Sequence, residues 1–380
     1  MLHQRRFTSK QTLTFAAVFL ESLQLLQFRN WESLSLRFGP GLNLITGPNG
    51  LGKTNILDAV YTLCLAKSYL SAIDTQNIRK SDRPEQDIPF FMLEGLFFKD
   101  GKTETIQCTV RKGQKKLLKR NKKEYERLAE HVGKFPVVMI APQDADLIHG
   151  SSEERRKFMD ALICQYAPSY LEDLLRYNRL IQQRNALLKQ VEDHALQEST
   201  LHVYDLQLEG PAERILQQRN AFLKVFLPLF SRHYAKLSGE KEIPELTYVA
   251  TAPEGTWRTQ TQAAIAKDRI LKYSTIGPHR DDIQFSLSGM LVKKFASQGQ
   301  QKTFLAALKL AEWSLLQAQT GIPPILLLDD IFDKLDPHRV SQLILQVKNL
   351  GQILITDTDT NRLPQMLDYL AIPYETTLLS

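Results

Sequence analysis

Two short motifs at opposite ends of the chain constrain its fold most: Gly47-Pro48-Asn49-Gly50-Leu51-Gly52-Lys53-Thr54 and the apolar run Ile325-Leu326-Leu327-Leu328 closing on Asp329-Asp330. A phosphate site using both can form only if the chain folds back and its two ends share one sheet. The first motif follows the apolar run Leu42–Thr46 and precedes Asn55–Leu65, where Ile56, Leu57, Val60, Leu63 and Cys64 recur with a helical period. Strand, loop and helix in that order are the context a GxxxxGKT pattern requires. Gly47, Gly50 and Gly52, with Asn49 in the same loop, let backbone N–H groups curl around phosphate oxygens. Lys53 then reaches the β- and γ-phosphates of ATP, and Thr54 binds Mg²⁺ at the start of the helix. A buried strand ending in two carboxylates is costly unless a cation or hydrogen bonds receive the charge. Asp329 is therefore the candidate Mg²⁺ carboxylate and Asp330 the group that orients the attacking water; an acidic turn is the alternative.

At 380 residues with 43% hydrophobic content the chain can form two packed domains, and no apolar stretch approaches the ~20 residues of a membrane span. Cys64, Cys108 and Cys164 lie far apart without metal spacing, which favours a reduced, cytoplasmic setting. The net charge of +6 points to an anionic partner, and its distribution says more. Arg111, Lys112, Lys115, Lys116, Lys119, Arg120, Lys122 and Lys123 fall in one stretch with no acidic residue, with Gly113 as a turn tip between short basic strands. Such a hairpin is either a DNA-backbone contact or a solvated, solubilising surface. No helix-turn-helix, zinc finger or basic zipper is present, so sequence-specific base reading is not expected.

Short apolar strands are expected at Leu23–Phe28, Phe90–Phe98, Thr105–Val110, Pro136–Ile140, Asp282–Leu287 and Gln352–Thr356. Residues 1–20 read as an extension and not as a signal peptide, because the apolar part is short and lacks a small-residue cleavage site. After Ser151, placed as a helix cap with Glu154 completing a capping box, the chain is helical for nearly ninety residues. Gly210-Pro211 is expected to break that stretch into two antiparallel arms with one apolar seam, including Leu171, Leu174, Leu175, Leu180, Ile181, Leu187 and Leu188, then Ile215, Leu216, Phe222, Leu223, Phe226 and Leu227.

Ser297-Gln298-Gly299-Gln300 resembles the signature motif of ABC-type ATPases, and Asp333-Lys334-Leu335-Asp336 resembles the segment after their acidic strand. More narrowly the chain resembles the RecF family, related to SMC and Rad50 heads. The match is carried by Phe28-Arg29-Asn30-Trp31, Gly52 to Tyr61, Arg155-Arg156-Lys157-Phe158-Met159-Asp160 and Gly277-Pro278-His279-Arg280-Asp281-Asp282. Ser68-Tyr69-Leu70 departs from the usual Ser-His-Arg, and Pro142-Gln143-Asp144 from Pro-Glu-Asp.

The resemblance implies an α/β fold: a P-loop ATPase head with mixed sheets and an inserted short antiparallel helical arm. Residues 21–135 and 260–380 would form the head and 136–259 the arm and second lobe. It implies that Ser297 and Gly299 cap the γ-phosphate bound by a facing subunit in an ATP-dependent homodimer, with Gln300 in the same trans signature and Asp336 across the same interface. It places Gln143 near Mg²⁺ and water, and Arg29 near the nucleotide, against a plain loop residue and a structural ion pair respectively. For the Gly277–Asp282 segment a nucleotide role and a turn stand side by side. The implied function is a slow, Mg-dependent, DNA-stimulated ATPase of recombinational repair and replication restart. It would bind double-stranded or gapped DNA and support RecA loading with RecO and RecR. Alternatives are another SMC- or Rad50-like head, a transporter nucleotide-binding subunit, or a DNA-binding scaffold that does not cleave ATP.

Overall fold

The computed structural model describes residues 4–5, 18–80, 88–190, 194–239, 242–331 and 337–379. The chain first forms β1 (Gln4–Arg5), β2 (Phe19–Phe28), β3 (Trp31–Arg37), β4 (Leu42–Thr46), α1 (Lys53–Leu65), β5 (Phe90–Lys99), β6 (Lys102–Arg111), β7 (Leu117–Arg120), β8 (Lys123–Glu124) and β9 (Val137–Ile140). It continues through α2 (Asp146–His149), α3 (Ser152–Tyr166), α4 (Pro168–Gln190), α5 (His194–Ser238), β10 (Pro244–Val249), α6 (Trp257–Leu271), β11 (Asp282–Leu287), β12 (Met290–Leu291), α7 (Val292–Phe295) and α8 (Gln298–Thr320). It closes with β13 (Ile325–Asp329), α9 (Pro337–Val347), β14 (Ile353–Asp357), α10 (Arg362–Tyr369) and β15 (Tyr374–Leu378).

Two compact units result: Met1–Gln143 with Glu312–Ser380, and Asp144–Ala311. The first holds a sheet of order β1-β15-β4-β14-β13-β9 and a second, antiparallel one of order β3-β2-β5-β6-β7-β8. Strands β15, β4, β14, β13 and β9 run parallel, and β13 and β14 are buried along their whole length, as unbroken apolar runs require in a sheet covered on both faces. In β5 burial alternates, so that Phe91, Leu93 and Phe97 face inward. Ile56, Leu57, Val60 and Leu63 of α1 join those residues and Met139, Leu327 and Leu354 of the parallel sheet in one core. The N-terminus of α1 is thereby held at the end of the parallel strands.

The second unit pairs α4 against α5 and adds a three-stranded sheet of order β10-β11-β12. The helix pair is not divided at Gly210-Pro211. Helix α5 passes through Pro211 and again through Pro228 without interruption. An interior proline costs about 3 kcal/mol. Here Leu208, Ala212, Ile215, Leu216, Phe222, Phe226 and Phe230 form a buried stripe on both sides of Pro211, and that packing outweighs the local preference. The seam is also not purely apolar: Leu175 is exposed, while Arg184 and Arg219 are fully buried in it. Arg184 donates to Asp205 at 2.8 Å and to Asp268 and Ser274 at 2.7 and 2.8 Å. Arg219 donates to Asp160, Tyr170, Tyr248 and the carbonyl of Pro278. The 155–160 and 277–282 motifs interlock around it, with Arg155 on Asp282 at 2.8 Å and Arg156 on the Asp281 carbonyl at 2.6 Å.

The units divide elsewhere than at the expected 135/136 and 259/260. Strand β9 is a full member of the parallel sheet, and β10 pairs with β11, which keeps residues up to Ala311 with the helical unit. Residues 1–20 are not uniformly an extension. Gln4–Arg5 pairs with β15, and Leu20 is fully buried, its backbone clasped by Gln352 through two 2.8 Å bonds. The capping box expected at Ser151 is half formed. Its hydroxyl accepts the Glu153 N–H at 3.2 Å, while Glu154 pairs with Lys157.

Candidate nucleotide site

In a parallel sheet the C-terminal strand ends are where ligands bind, because loops and helix N-termini converge there. Strands β4, β14 and β13 present Thr46, Asp357 and Asp329 at that edge in adjacent register. The loop after β4 rises over them and enters α1 through Gly52, which has a φ of 87°. A Cβ at Gly52 would lie 2.4 Å from the Asn30 amide, so glycine is required by both the left-handed backbone and the close approach. Asn30 clasps the loop, donating to the Leu51 carbonyl at 3.1 Å and accepting from Asn55 at 2.7 Å. Asn49 and Gly50 are exposed at the loop tip.

Lys53 is buried, and its ammonium donates to the carbonyls of Gly47 and Pro48 at 2.6 and 2.9 Å. Burial lowers its pKa from the usual lysine value, opposed by the fields of Asp330, Asp329 and Asp357. Thr54 donates to Asp329 Oδ1 at 2.9 Å, joining residues 275 positions apart, and Thr356 donates to the same oxygen at 2.8 Å. Burial raises the Asp329 pKa, and these two hydroxyls and Lys53 act against the rise. Asp330 turns out of the sheet with a φ of 47°, its amide held by the Thr356 carbonyl at 3.3 Å and hydroxyl at 3.1 Å. Aspartate tolerates this left-handed conformation better than most residues. Gln143 is exposed in a short turn just beyond β9, the neighbour of β13 at the same edge.

Arg29 lies beside this loop in an ion pair: its Nη2 donates to Asp58 at 2.9 Å and to Ser68 Oγ at 3.4 Å. The Asp58 side chain is fully buried on α1 and also accepts from the Ser68 hydroxyl at 2.8 Å and the Tyr69 amide at 2.7 Å. Asp58, Thr356 and Asp357 did not emerge from sequence reasoning as site residues. Asp58 lies on α1 but faces the core, Thr356 stands only as the last residue of an expected strand, and Asp357 follows it without a local pattern. Asp357 is fully buried and held by Arg362 at 3.1 Å.

The signature residues lie in the other unit. Ser297 precedes the first turn of α8 and forms the reciprocal cap absent at Ser151. Its hydroxyl accepts the Gln300 N–H at 3.2 Å and its own N–H donates to Gln300 Oε1 at 2.6 Å. Gly299 follows within that turn, and Asp336 lies outside the described residues. The Ser-x-x-Gln spacing is a capping-box pattern, a local signal for this helix start that sequence reasoning missed. In the segment Gly277 to Asp282, His279 and Asp281 form hydrogen bonds within the helical unit.

The basic stretch forms the β6–β7–β8 hairpin, with Gly113 at a φ of 79° in its turn. Arg111, Lys112, Lys115, Lys122 and Lys123 are exposed and Lys119 half-buried. Lys116 instead points inward to Asp74 and the Ala66 carbonyl, both at 2.7 Å, and Arg120 grips Glu104 through two bonds at 2.7 and 2.6 Å. No helix among the described residues is long and apolar enough to cross a membrane.

A phosphate loop and an acidic strand on one parallel sheet, with a helical unit carrying a signature segment, define a P-loop ATPase head of the ABC and SMC type. The family model for the RecF/RecN/SMC N terminal domain matches residues 19–377. The chain is 42% identical over 346 residues to the DNA replication and repair protein RecF of Flavobacterium johnsoniae, covering 90% of this chain and 95% of that protein. A RecF of Bacteroides fragilis is 42% identical over 353 residues, covering 92% of this chain and 93% of its own. The solved structure of the recombination mediator protein RecF with ATP superposes with a TM-score of 0.84 at 28% identity, over 92% of this chain and 94% of that one. The chain belongs to the RecF family.

Proposed function

We propose that this chain is an ATP-binding protein of DNA repair and replication restart that dimerises head to head around ATP and hydrolyses it slowly. The observation that carries the reading is the Thr54–Asp329 hydrogen bond, which joins the two nucleotide motifs across 275 positions. Gly47, Asn49, Gly50, Gly52 and Lys53 hold the phosphates, and Arg29, oriented by Asp58, faces the nucleotide. Thr54 and Asp329 offer a hydroxyl and a carboxylate oxygen, hard donors that suit Mg²⁺. Gln143 would lie on the same side of the sheet, near that ion. Mg²⁺ neutralises charge on the phosphate oxygens.

Asp330, with Gln143, orients the attacking water. Ser297 and Gly299 of one copy cap the γ-phosphate held by the other, with Gln300 in the same signature turn; the α8 N-terminus favours an anion there. The exposed hairpin lysines contact duplex or gapped DNA along its backbone, and the partners implied by the family are RecR, with RecO and RecA.

Sedimentation with Mg²⁺ and ATP, or a slowly hydrolysed analogue, tests the reading: a dimer should form. Lys53→Met should abolish it with nucleotide binding, and Asp330→Asn should trap it while phosphate release falls on the order of 100-fold. An unchanged mass at saturating nucleotide would refute the dimer.

A further inference from the structure

Gln300 is held from both sides. Its Oε1 accepts the Ser297 N–H at 2.6 Å, while its Nε2 donates to Glu242 Oε1. The other Glu242 oxygen accepts the hydroxyl of Tyr234, a fully buried residue in the last turns of α5. The Tyr234 ring packs against Phe230 and Phe304, so its position is set by α5 and α8 together. A continuous line of hydrogen bonds therefore runs from the helical arm to the first residue of the signature. All of it lies within the helical unit.

This line fixes more than a helix end. An amide side chain can turn over and exchange its oxygen for its nitrogen. Glu242 accepts only, so it requires the Gln300 nitrogen on its side and thereby puts the oxygen toward the Ser297 N–H. With that amide satisfied, the Ser297 hydroxyl accepts the Gln300 N–H, which leaves its own hydrogen to donate outward. Ser297 is exposed, so the donor faces the exterior of the unit. A donor held ready for an oxyanion is the arrangement a phosphate cap requires.

We propose that Glu242 and Tyr234 are positioning residues for the signature: they set the amide orientation of Gln300 and through it hold Ser297 as an oxyanion donor. The phosphate it would meet rests on the dimer reading above; the positioning itself does not. A swap of the two polar side chains tests the tie. Gln300→Glu sets two carboxylates against each other and breaks the line. Adding Glu242→Gln restores every bond, because the amide then at position 242 donates to the carboxylate at position 300 and accepts from Tyr234.

Hydrogen exchange of the backbone amides at 297–301, followed in the full chain without nucleotide, should quicken about tenfold in Gln300→Glu and return to within about threefold of the parent in the double variant. Tyr234→Phe, which keeps the buried ring, should quicken it about threefold. ATP-driven dimerisation should follow the same order. Unchanged exchange in Gln300→Glu, or a double variant no better than the single, would overturn the positioning role. A parent protein that stays monomeric in saturating ATP while the exchange series holds would refute the dimer reading and leave the positioning role standing.

Discussion

Replacing Arg29 by alanine should unfold the nucleotide-binding unit at markedly lower temperature. The Asp58 side chain is fully buried and that of Arg29 is 21% exposed, so the substitution strands a carboxylate in the core. Removing one member of a buried pair costs about 3–5 kcal/mol. The lower end applies, because the Ser68 hydroxyl and the Tyr69 amide still donate to Asp58. For a unit of this size about 3 kcal/mol lowers the melting temperature by roughly 6–12 °C. Scanning calorimetry reads the shift. The decisive variant is Asp58→Asn in the Arg29→Ala background, which removes the stranded charge while keeping an acceptor for Ser68. It should recover about two-thirds of the loss. A melting temperature lowered by less than about 2 °C in Arg29→Ala, or no recovery in the double variant, would show that the pair does not hold this part of the fold.

Neutralising Lys112, Lys115, Lys122 and Lys123 together should weaken DNA binding and flatten its salt dependence by about 0.9 for each phosphate no longer neutralised, read by anisotropy over a salt series. Lys116→Gln and Arg120→Gln should leave that slope intact and lower stability instead, since both charges are paired inside the unit. Burial lowers the His279 pKa to about 4, so the unfolded state binds the extra proton below the ordinary value of 6.5. Stability should then be complete above pH 6.5 and fall toward pH 4 by up to about 3 kcal/mol from this residue. His279→Gln should flatten that acid limb in denaturant titrations, and an unaltered limb would exclude His279 as its source.

The phosphate loop and the acidic strand were legible because each has a local pattern: a strand, a glycine-rich turn and a helix in one case, an unbroken apolar run closed by two carboxylates in the other. The β11 strand, expected as a short apolar run over Asp282–Leu287, has those ends in the structure. What failed was local chemistry overruled at a distance. Pro211 carries a helix-breaking signal that the buried stripe around it overrides, and nothing local marks Arg184 and Arg219 as buried, because their carboxylate partners are scattered along the chain. An ion pair was one of the two readings open for Arg29, but its partner was not legible, since Asp58 lies 29 residues further on. Lys116 and Arg120 could not be told from the other basic residues of their hairpin without the strand register that sets them against Asp74 and Glu104.

The strand order of the parallel sheet also sets a schedule for synthesis. Strand β4, which carries the phosphate loop, has β14 and β15 as its neighbours, and β9 has β13. All three partners are translated after the helical unit is complete. On the ribosome the loop strand must therefore wait, its edges unpaired, while more than two hundred residues emerge. An exposed apolar strand edge is a template for wrong pairing. A message cut short before β13 releases a chain whose loop strand lacks every partner it pairs with, so premature termination here produces an aggregation hazard and not a smaller nucleotide-binding unit.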